Sequence, residues 1–144
     1  MKITRSIKKA ETNRKWFLID AKGVRLGKLA TKCASLLIGK QKVDRVNYLN
    51  NGDNVIVINA AKVDVFTKKL TQKKYYRHSG YVGSLKSTPL REMMEKKPNM
   101  VIQKAVKGML PQTKMGDLIM KNLFIYTGDA HKHEAQQPVK IEVK

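Results

Sequence analysis

Acidic residues are scarce in this sequence: 11 Asp and Glu stand against 30 Lys and Arg in 144 residues, so the formal net charge is +19 at pH 7. A charge excess of this size destabilises the compact state by self-repulsion unless a polyanion neutralises it. Nucleic acid is the commonest polyanion available to a basic protein. The charge balance therefore predicts a nucleic-acid ligand, with a membrane surface as the rival partner.

Long apolar runs are also missing. The best candidates are interrupted by Lys or Gly well short of the roughly 20 apolar residues that a membrane-crossing helix needs. The first 15 residues contain six basic side chains but no continuous apolar stretch, which argues against a secretory signal. We expect no membrane partner, and we interpret residues 1–14 as a basic arm that becomes ordered on binding.

Cysteine is almost absent. The single Cys33 cannot form an intramolecular disulfide, which suits a reducing compartment, and we interpret it as a packing residue. A hydrophobic content of 42% is enough for a modest core. The chain is expected to form one domain over residues 1–144.

Motifs for enzymatic chemistry are missing as well. Gly23 and Gly27 lie in the first strand-to-helix turn, but a third glycine and a Gly-Lys-Ser/Thr ending are lacking, so neither a dinucleotide fingerprint nor a P-loop is present. No pair of carboxylates has a signature for acid and base work. The sequence predicts no enzyme, no cofactor and no small-molecule substrate.

The tail, residues 129–144, offers little for a metal site. His131 and His133 are two residues apart and no Cys-x-x-Cys pair accompanies them, which argues against zinc. Histidines beside a lysine more often contact phosphate or solvent. We therefore interpret His131, Lys132 and His133 as RNA-binding residues.

Hydrophobic patterning predicts a strand at 15–20, an amphipathic helix at 26–37 that ends at Gly39, and a second strand at 54–59. The second strand has a continuous apolar centre, which is typical of a sheet covered on both faces. Two strands joined by a helix favour parallel pairing with a right-handed crossover. The fold class indicated is α/β, in three α/β/α layers, and a short third strand is expected at 62–66.

Residues 66–87 give the strongest site signal, and we interpret them as a basic and aromatic RNA-binding loop. Cations track phosphates, aromatic rings stack on unpaired bases, and glycines let the backbone approach a ligand. The alternative is a solvated basic loop, but the stretch contains no acidic residue. The candidate residues are the cations Lys68, Lys69, Lys73, Lys74, Arg77 and Lys86, the aromatics Phe66, Tyr75, Tyr76 and Tyr81, and His78, Ser79, Gly80 and Gly83.

Two helices are expected next, one beginning near Pro89 and ending before Pro98, and one over residues 101–109. In the second, Val101, Ile102, Ala105 and Met109 are predicted to pack inward. Lys104 and Lys107 then project together, and Gly108 is expected to end the helix in the left-handed conformation. This helix end is predicted to face RNA. A short helix at 115–122 and a strand at 123–126 complete the pattern.

Four ordered blocks make the chain resemble the universal L-thirteen family of large-subunit ribosomal proteins, in its bacterial or organellar form. The resemblance runs nearly end to end. It is carried by NGD at 51–53 before the strand, YYRHSGY at 75–81, AVKGMLP at 105–111, and YTGDAHKH at 126–133 followed by AQQP at 135–138.

The resemblance implies a small, mainly parallel four-stranded sheet with basic extensions, ribosomal RNA and neighbouring large-subunit proteins as partners, and a role early in assembly of the large subunit. Two positions depart from the family pattern. Thr67 stands where a glycine is usual, which puts a tight turn in doubt. Asp117 stands where an arginine is usual, so a phosphate contact there is missing or inverted.

Two other classes of function stay open from the residues alone. One is a free regulatory RNA- or DNA-binding protein, which the composition cannot exclude. The other is a nucleotide-handling enzyme, which lacks its phosphate loop. Sedimentation separates the first from a ribosomal protein, because only the ribosomal protein travels with large subunits.

Overall fold

A computed structural model describes Lys8 and residues 12–143, so most of the predicted basic arm lies outside the described residues. The chain alternates strands and helices. In order these are β1 (Trp16–Asp20), α1 (Leu26–Ile38), β2 (Asn54–Ile58), α2 (Thr67–Gln72), β3 (Lys74–Arg77), β4 (Lys86–Pro89), α3 (Leu90–Lys96), α4 (Pro98–Lys107), α5 (Lys114–Met120), β5 (Leu123–Ile125) and β6 (Val139–Ile141). Single turns of 3-10 helix occupy Ala60–Lys62 and Glu134–Gln136.

The main sheet has four strands in the order β5-β2-β1-β6, and every neighbouring pair is parallel. Trp16 lies opposite Asn54, and Val55 lies opposite Leu123. β1, α1 and β2 form the expected strand–helix–strand unit. The predicted α/β class with a small parallel sheet is confirmed.

One face of the sheet packs against the helices. Side chains two apart on a strand share a face, so Val55 and Val57 point to the same side, and both are fully buried with Leu29, Cys33 and other residues of α1. Helix α4 adds Ile102 and Val106 to the same core, and burial raises the pKa of the Cys33 thiol to about 12. Cys33 is thus an unreactive packing residue, as predicted.

The opposite face is covered by the C-terminal segment. Phe124 stacks on Trp16 with ring centroids 5.5 Å apart, and the His133 ring lies 4.5 Å from Phe124 and 5.1 Å from Trp16. Ile56, in the middle of β2 on this face, is fully buried. The segment after β5 is therefore more than the polar tail predicted, because it covers the sheet and then returns as the edge strand β6.

Two predicted elements differ from the structure. At 62–66 a single parallel bridge between Arg25 and Asp64 replaces the expected strand. The expected loop at 66–87 contains helix α2 and the antiparallel hairpin β3–β4. Thr67 is the first residue of α2 and does not have a positive φ, so the position needs no glycine.

The NGD block at 51–53 ties β2 to the end of α1. A side chain at Gly52 would place its Cβ 1.6 Å from the Leu37 carbonyl oxygen, so only glycine fits. Buried Asp53 accepts a hydrogen bond from the Lys15 amide at 2.9 Å and pairs with Lys42 Nζ at 2.7 Å. The block is thus a structural joint.

Candidate nucleic-acid interface

The hairpin β3–β4 carries most of the predicted site. Its register places Lys74 opposite Pro89, Tyr75 opposite Thr88 and Arg77 opposite Lys86. Because successive side chains of a strand alternate, Tyr75 turns towards the body of the protein and is half-buried, while Tyr76 is 62% exposed. All six cations predicted in this stretch are exposed, those of α2 (Lys68, Lys69) and those of the hairpin region (Lys73, Lys74, Arg77, Lys86).

The hairpin tip, residues 78–85, is held in shape by its own hydrogen bonds. Ser79 Oγ donates to Ser84 Oγ at 2.8 Å, and Ser84 Oγ donates to the Tyr81 carbonyl at 2.7 Å. The Gly80 amide donates to His78 Nδ1 at 3.0 Å, and Gly80 has φ +97°, which favours glycine. This turn leaves the Tyr81 ring 79% exposed.

Tyr75 joins the hairpin to the helices. Lys104 Nζ of α4 lies 4.7 Å from the centroid of its ring, and Lys73 Nζ lies 5.5 Å from it. The Tyr75 hydroxyl is shielded from solvent and has no hydrogen-bond partner in the described part of the chain. Burial raises the pKa of Tyr75.

A groove of about 250 Å³, which we call the Tyr75 groove, lies between the hairpin and the α3–α4 corner. The hairpin contributes Tyr75, Tyr76, Arg77 and Thr88, and the helices contribute Glu92, Met93, Lys96, Lys97, Met100 and Lys104. Lys104 is thereby brought to the hairpin although 27 residues separate it from Arg77 in sequence. A second hollow, beside the tip, is lined by Arg77, His78, Ser79, Ser84 and Lys86.

Sequence patterning predicted Lys104 but missed the other groove residues of the α3–α4 corner, which are Glu92, Met93, Lys96, Lys97 and Met100. Met100 is 38% exposed and lies one turn before Lys104 on the same helix face. The i, i+4 spacing of Met100 and Lys104 was the one feature of the sequence that could have placed Met100 beside Lys104 in the site. It identifies a shared face but not what the face contacts.

The end of α4 differs from its prediction in three respects. Gly108 is right-handed, with φ −66°, because the helix tightens as the Met109 amide donates to the Val106 carbonyl at 2.9 Å. Met109 is 43% exposed instead of buried, and Val106 and Leu110 fill the core in its place. The right-handed continuation turns Leu110 inward and Met109 outward.

Lys104 and Lys107 are both exposed, as predicted, but their surroundings differ. Lys107 Nζ pairs with Asp117 Oδ1 at 3.1 Å, and both side chains are largely exposed. Asp117 is the position at which the family pattern has an arginine. The charge of Lys107 is thus partly neutralised at the surface, whereas Lys104 belongs to the Tyr75 groove.

The tail residues lie elsewhere. The rings of His131 and His133 contact aromatic side chains of β1 and the β5 region, and His133 is half-buried against Trp16 and Phe124. Of the three predicted tail residues, only Lys132 is exposed. The His133 amide donates to His131 Nδ1 at 3.2 Å. Among the described residues, no group of three or more His, Cys, Asp and Glu is arranged to hold a metal ion.

Comparisons with known proteins match most of the chain to one family of proteins. A family model described as "Ribosomal protein L13" matches residues 14–132. The "Large ribosomal subunit protein uL13" of Mycoplasmopsis pulmonis is 54% identical over the whole of both chains. The protein of the same name from Thermotoga petrophila is 48% identical over 97% of this chain and 94% of its own, and that from Spiroplasma citri is 44% identical over 99% and 98%. Within the described residues, no helix is long and apolar enough to cross a membrane.

Proposed function

Because the chain belongs to the ribosomal protein L13 family, we propose that it binds the RNA of the large ribosomal subunit through the β3–β4 hairpin and the adjoining face of α4, and supports early assembly of that subunit. The chain is a structural component of the large subunit and is not an enzyme. Its partners in this proposal are ribosomal RNA and neighbouring large-subunit proteins in cytoplasmic ribosomes.

The observation that carries the proposal is that residues 66–91 contain basic side chains and no acidic ones. These cations are exposed next to the exposed rings of Phe66, Tyr76 and Tyr81. Exposed cations neutralise phosphates without reading sequence, and exposed rings stack on unpaired bases. The hairpin, whose tip is fixed by its own hydrogen bonds, therefore presents cations on its strands and an exposed ring at its tip on a preformed surface.

Sedimentation with immunodetection tests the placement. The protein should travel with large subunits, and it should already be present in particles that sediment short of the complete subunit, because an early assembly protein joins before most others. Detection mainly in the light fractions would indicate a free RNA-binding regulator instead.

A competition experiment tests the hairpin. The triple variant Lys74→Gln, Arg77→Gln, Lys86→Gln should join large subunits less efficiently than the parent when both are present. The matched control is Lys22→Gln, Lys40→Gln, Lys62→Gln, which removes three exposed charges outside the hairpin. Equal incorporation of the two triple variants would assign the effect to net charge and remove the hairpin from the proposal.

A further inference from the structure

We propose that the Tyr75 groove receives one unpaired nucleotide of the RNA, with its base inside the groove and its phosphates on the rim. This inference rests on the proposed function and deepens it. Exposed cations explain contacts with RNA phosphates, whereas the groove would in addition bind a base. It is carried by the groove's apolar wall, by an unpartnered hydroxyl and by the charges at the rim.

The wall of the groove is suited to a flat, polarisable ligand. Met93 and Met100 line it beside the Tyr75 ring, and Met100 is 38% exposed although methionine is normally a core residue. Thioether sulfurs make favourable contacts with aromatic rings. A nucleobase has two such faces, so it would cover the exposed methionine while remaining in contact with Tyr75.

The Tyr75 hydroxyl provides the second observation. Of the buried side-chain polar atoms in the described residues, this hydroxyl and His133 Nε2 are the two without a hydrogen-bond partner. Buried polar groups are normally paired, because an unpaired one loses its hydration without replacement. The hydroxyl is shielded in the free protein, so the proposal requires a small shift of the Tyr75 ring when the groove is filled. The edge of a base carries both donors and acceptors, so either role of the hydroxyl is then matched.

The charges at the rim favour a phosphate-bearing ligand. Arg77, Lys97 and Lys104 line the groove, and none of them has a carboxylate partner within the described ranges. The one acidic residue in the lining, Glu92, is paired with Lys96 at 2.7 Å. The rim therefore keeps positive charge beside an apolar pocket.

The occupant must be single-stranded. In a duplex the bases are stacked and paired, so their faces cannot enter a groove, and proteins recognise unpaired bases in loops, bulges and ends. An acidic peptide would satisfy the rim, but its ionised carboxylates gain nothing from an apolar surface and would leave the methionine wall unused. The geometry thus favours RNA over a protein segment.

Two probes of equal length and charge separate the base from the backbone: single-stranded oligoadenylate, and a ribose-phosphate chain without bases. The parent protein should bind oligoadenylate roughly ten-fold more tightly, because stacking of a base is the added interaction. Met100→Gln replaces the apolar wall by a polar side chain of similar length and should reduce this ratio at least about three-fold while leaving affinity for the baseless chain unchanged.

Tyr75→Phe is the second variant, and it tests the hydroxyl while keeping the ring. It removes a hydroxyl that has no partner, so thermal stability should be unchanged or higher. The preference for oligoadenylate should nevertheless fall. Tyr81→Leu, at the exposed tip, is the control for stacking outside the groove and should leave the effects of both groove substitutions intact.

The outcomes are distinct. If neither probe binds the parent, the proposed RNA-binding function itself fails. If both bind and neither groove variant lowers the preference for bases, RNA binding stands and the groove inference is overturned. If the two groove variants lose affinity for oligoglutamate while oligoadenylate binding is kept, the groove takes an acidic protein segment and the inference is likewise overturned.

Discussion

At the scale of single residues, the fold is most sensitive to substitution at glycines that lie directly against the backbone of another segment. Gly52 lies against the Leu37 carbonyl, and Gly116 lies against the Pro111 carbonyl, where a Cβ would come within 1.9 Å of the oxygen. Backbone atoms cannot rotate away as a flexible side chain can. Both glycines are therefore required by the space available, although neither has a positive φ.

Gly52→Ala is expected to lower the free energy of unfolding by about 3 kcal/mol, since the end of α1 must move away from β2 to admit the methyl group. Gly27→Ala is the matched control. Gly27 is exposed in α1 with open space around it, so alanine should raise stability by about 0.5–1 kcal/mol. Thermal or urea unfolding measures both, and equal stability of the two variants would contradict the predicted contact at Gly52.

Asp20 should contribute a pH-dependent part of the stability. A hydrogen bond from the Lys22 amide, and then one from the Asn59 side chain, lower the pKa of this carboxyl below its ordinary value of 3.8. A lowered native pKa means that the contribution is complete above about 3.8 and is lost as the pH falls through the native pKa. Asp20→Asn should flatten this part of the unfolding curve against pH. If Asp20→Asn loses stability at low pH in the same way as the parent, Asp20 does not make this contribution.

At the scale of elements, the hairpin and helix α4 form the candidate site together. The hairpin is a small two-stranded sheet, which by itself is marginally stable in water. The half-buried Tyr75 and the cation of Lys104 above its ring attach it to the helical side of the domain. Because successive side chains of β3 point to opposite sides, Tyr75 anchors the hairpin while its neighbour Tyr76 is exposed.

The tyrosines should consequently behave differently. Tyr76→Leu and Tyr81→Leu are expected to change the free energy of unfolding by less than about 0.5 kcal/mol, because both rings are exposed. Each should still reduce incorporation into large subunits in competition with the parent. Tyr75→Leu should lower stability by about 1 kcal/mol. If Tyr81→Leu destabilises the isolated protein as much as Tyr75→Leu, the tip is part of the fold and not of the interface.

Substituting either Lys104 or Lys107 of α4 by Gln removes one positive charge, so the two variants can be compared directly. Lys107 shares its charge with Asp117 in an exposed pair, which contributes only about 0–1 kcal/mol to stability. Lys104 lies at the rim of the Tyr75 groove. Lys104→Gln should therefore reduce incorporation into large subunits more than Lys107→Gln does, with both variants folded. Equal or reversed effects would place the phosphate contact at the end of the helix, as sequence patterning predicted.

At the scale of the whole molecule, the net charge of +19 should dominate affinity for RNA. Each neutralised phosphate releases counterions, so the logarithm of the association constant should fall with the logarithm of salt concentration by roughly 0.7 to 0.9 per phosphate. Filter binding to a large-subunit RNA fragment measures the slope. The hairpin triple variant should lose about two units of slope if its three cations each contact a phosphate. A slope that does not change would show that these cations contact no phosphate.

The main helices and strands of the fold could be predicted largely from local sequence. Gly39 adopts φ +75° at the end of α1, as its position after the apolar pattern predicted, and the continuous apolar centre of β2 indicated burial on both faces. These features depend on neighbours within one turn or one strand. Recognition of the family likewise depended on contiguous blocks, which a sequence displays directly.

Charge, the class of fold and the family were thus determined by the sequence alone, because each follows from composition or from short-range order. The tertiary structure alone decided the pairing of β6 with β1 and the meeting of Lys104 with Tyr75. It also decided that Met100 and Met109 are exposed and that Asp117 pairs with Lys107. Such contacts join residues distant in the chain, and their formation depends on how several elements pack at once, so no local periodicity records them.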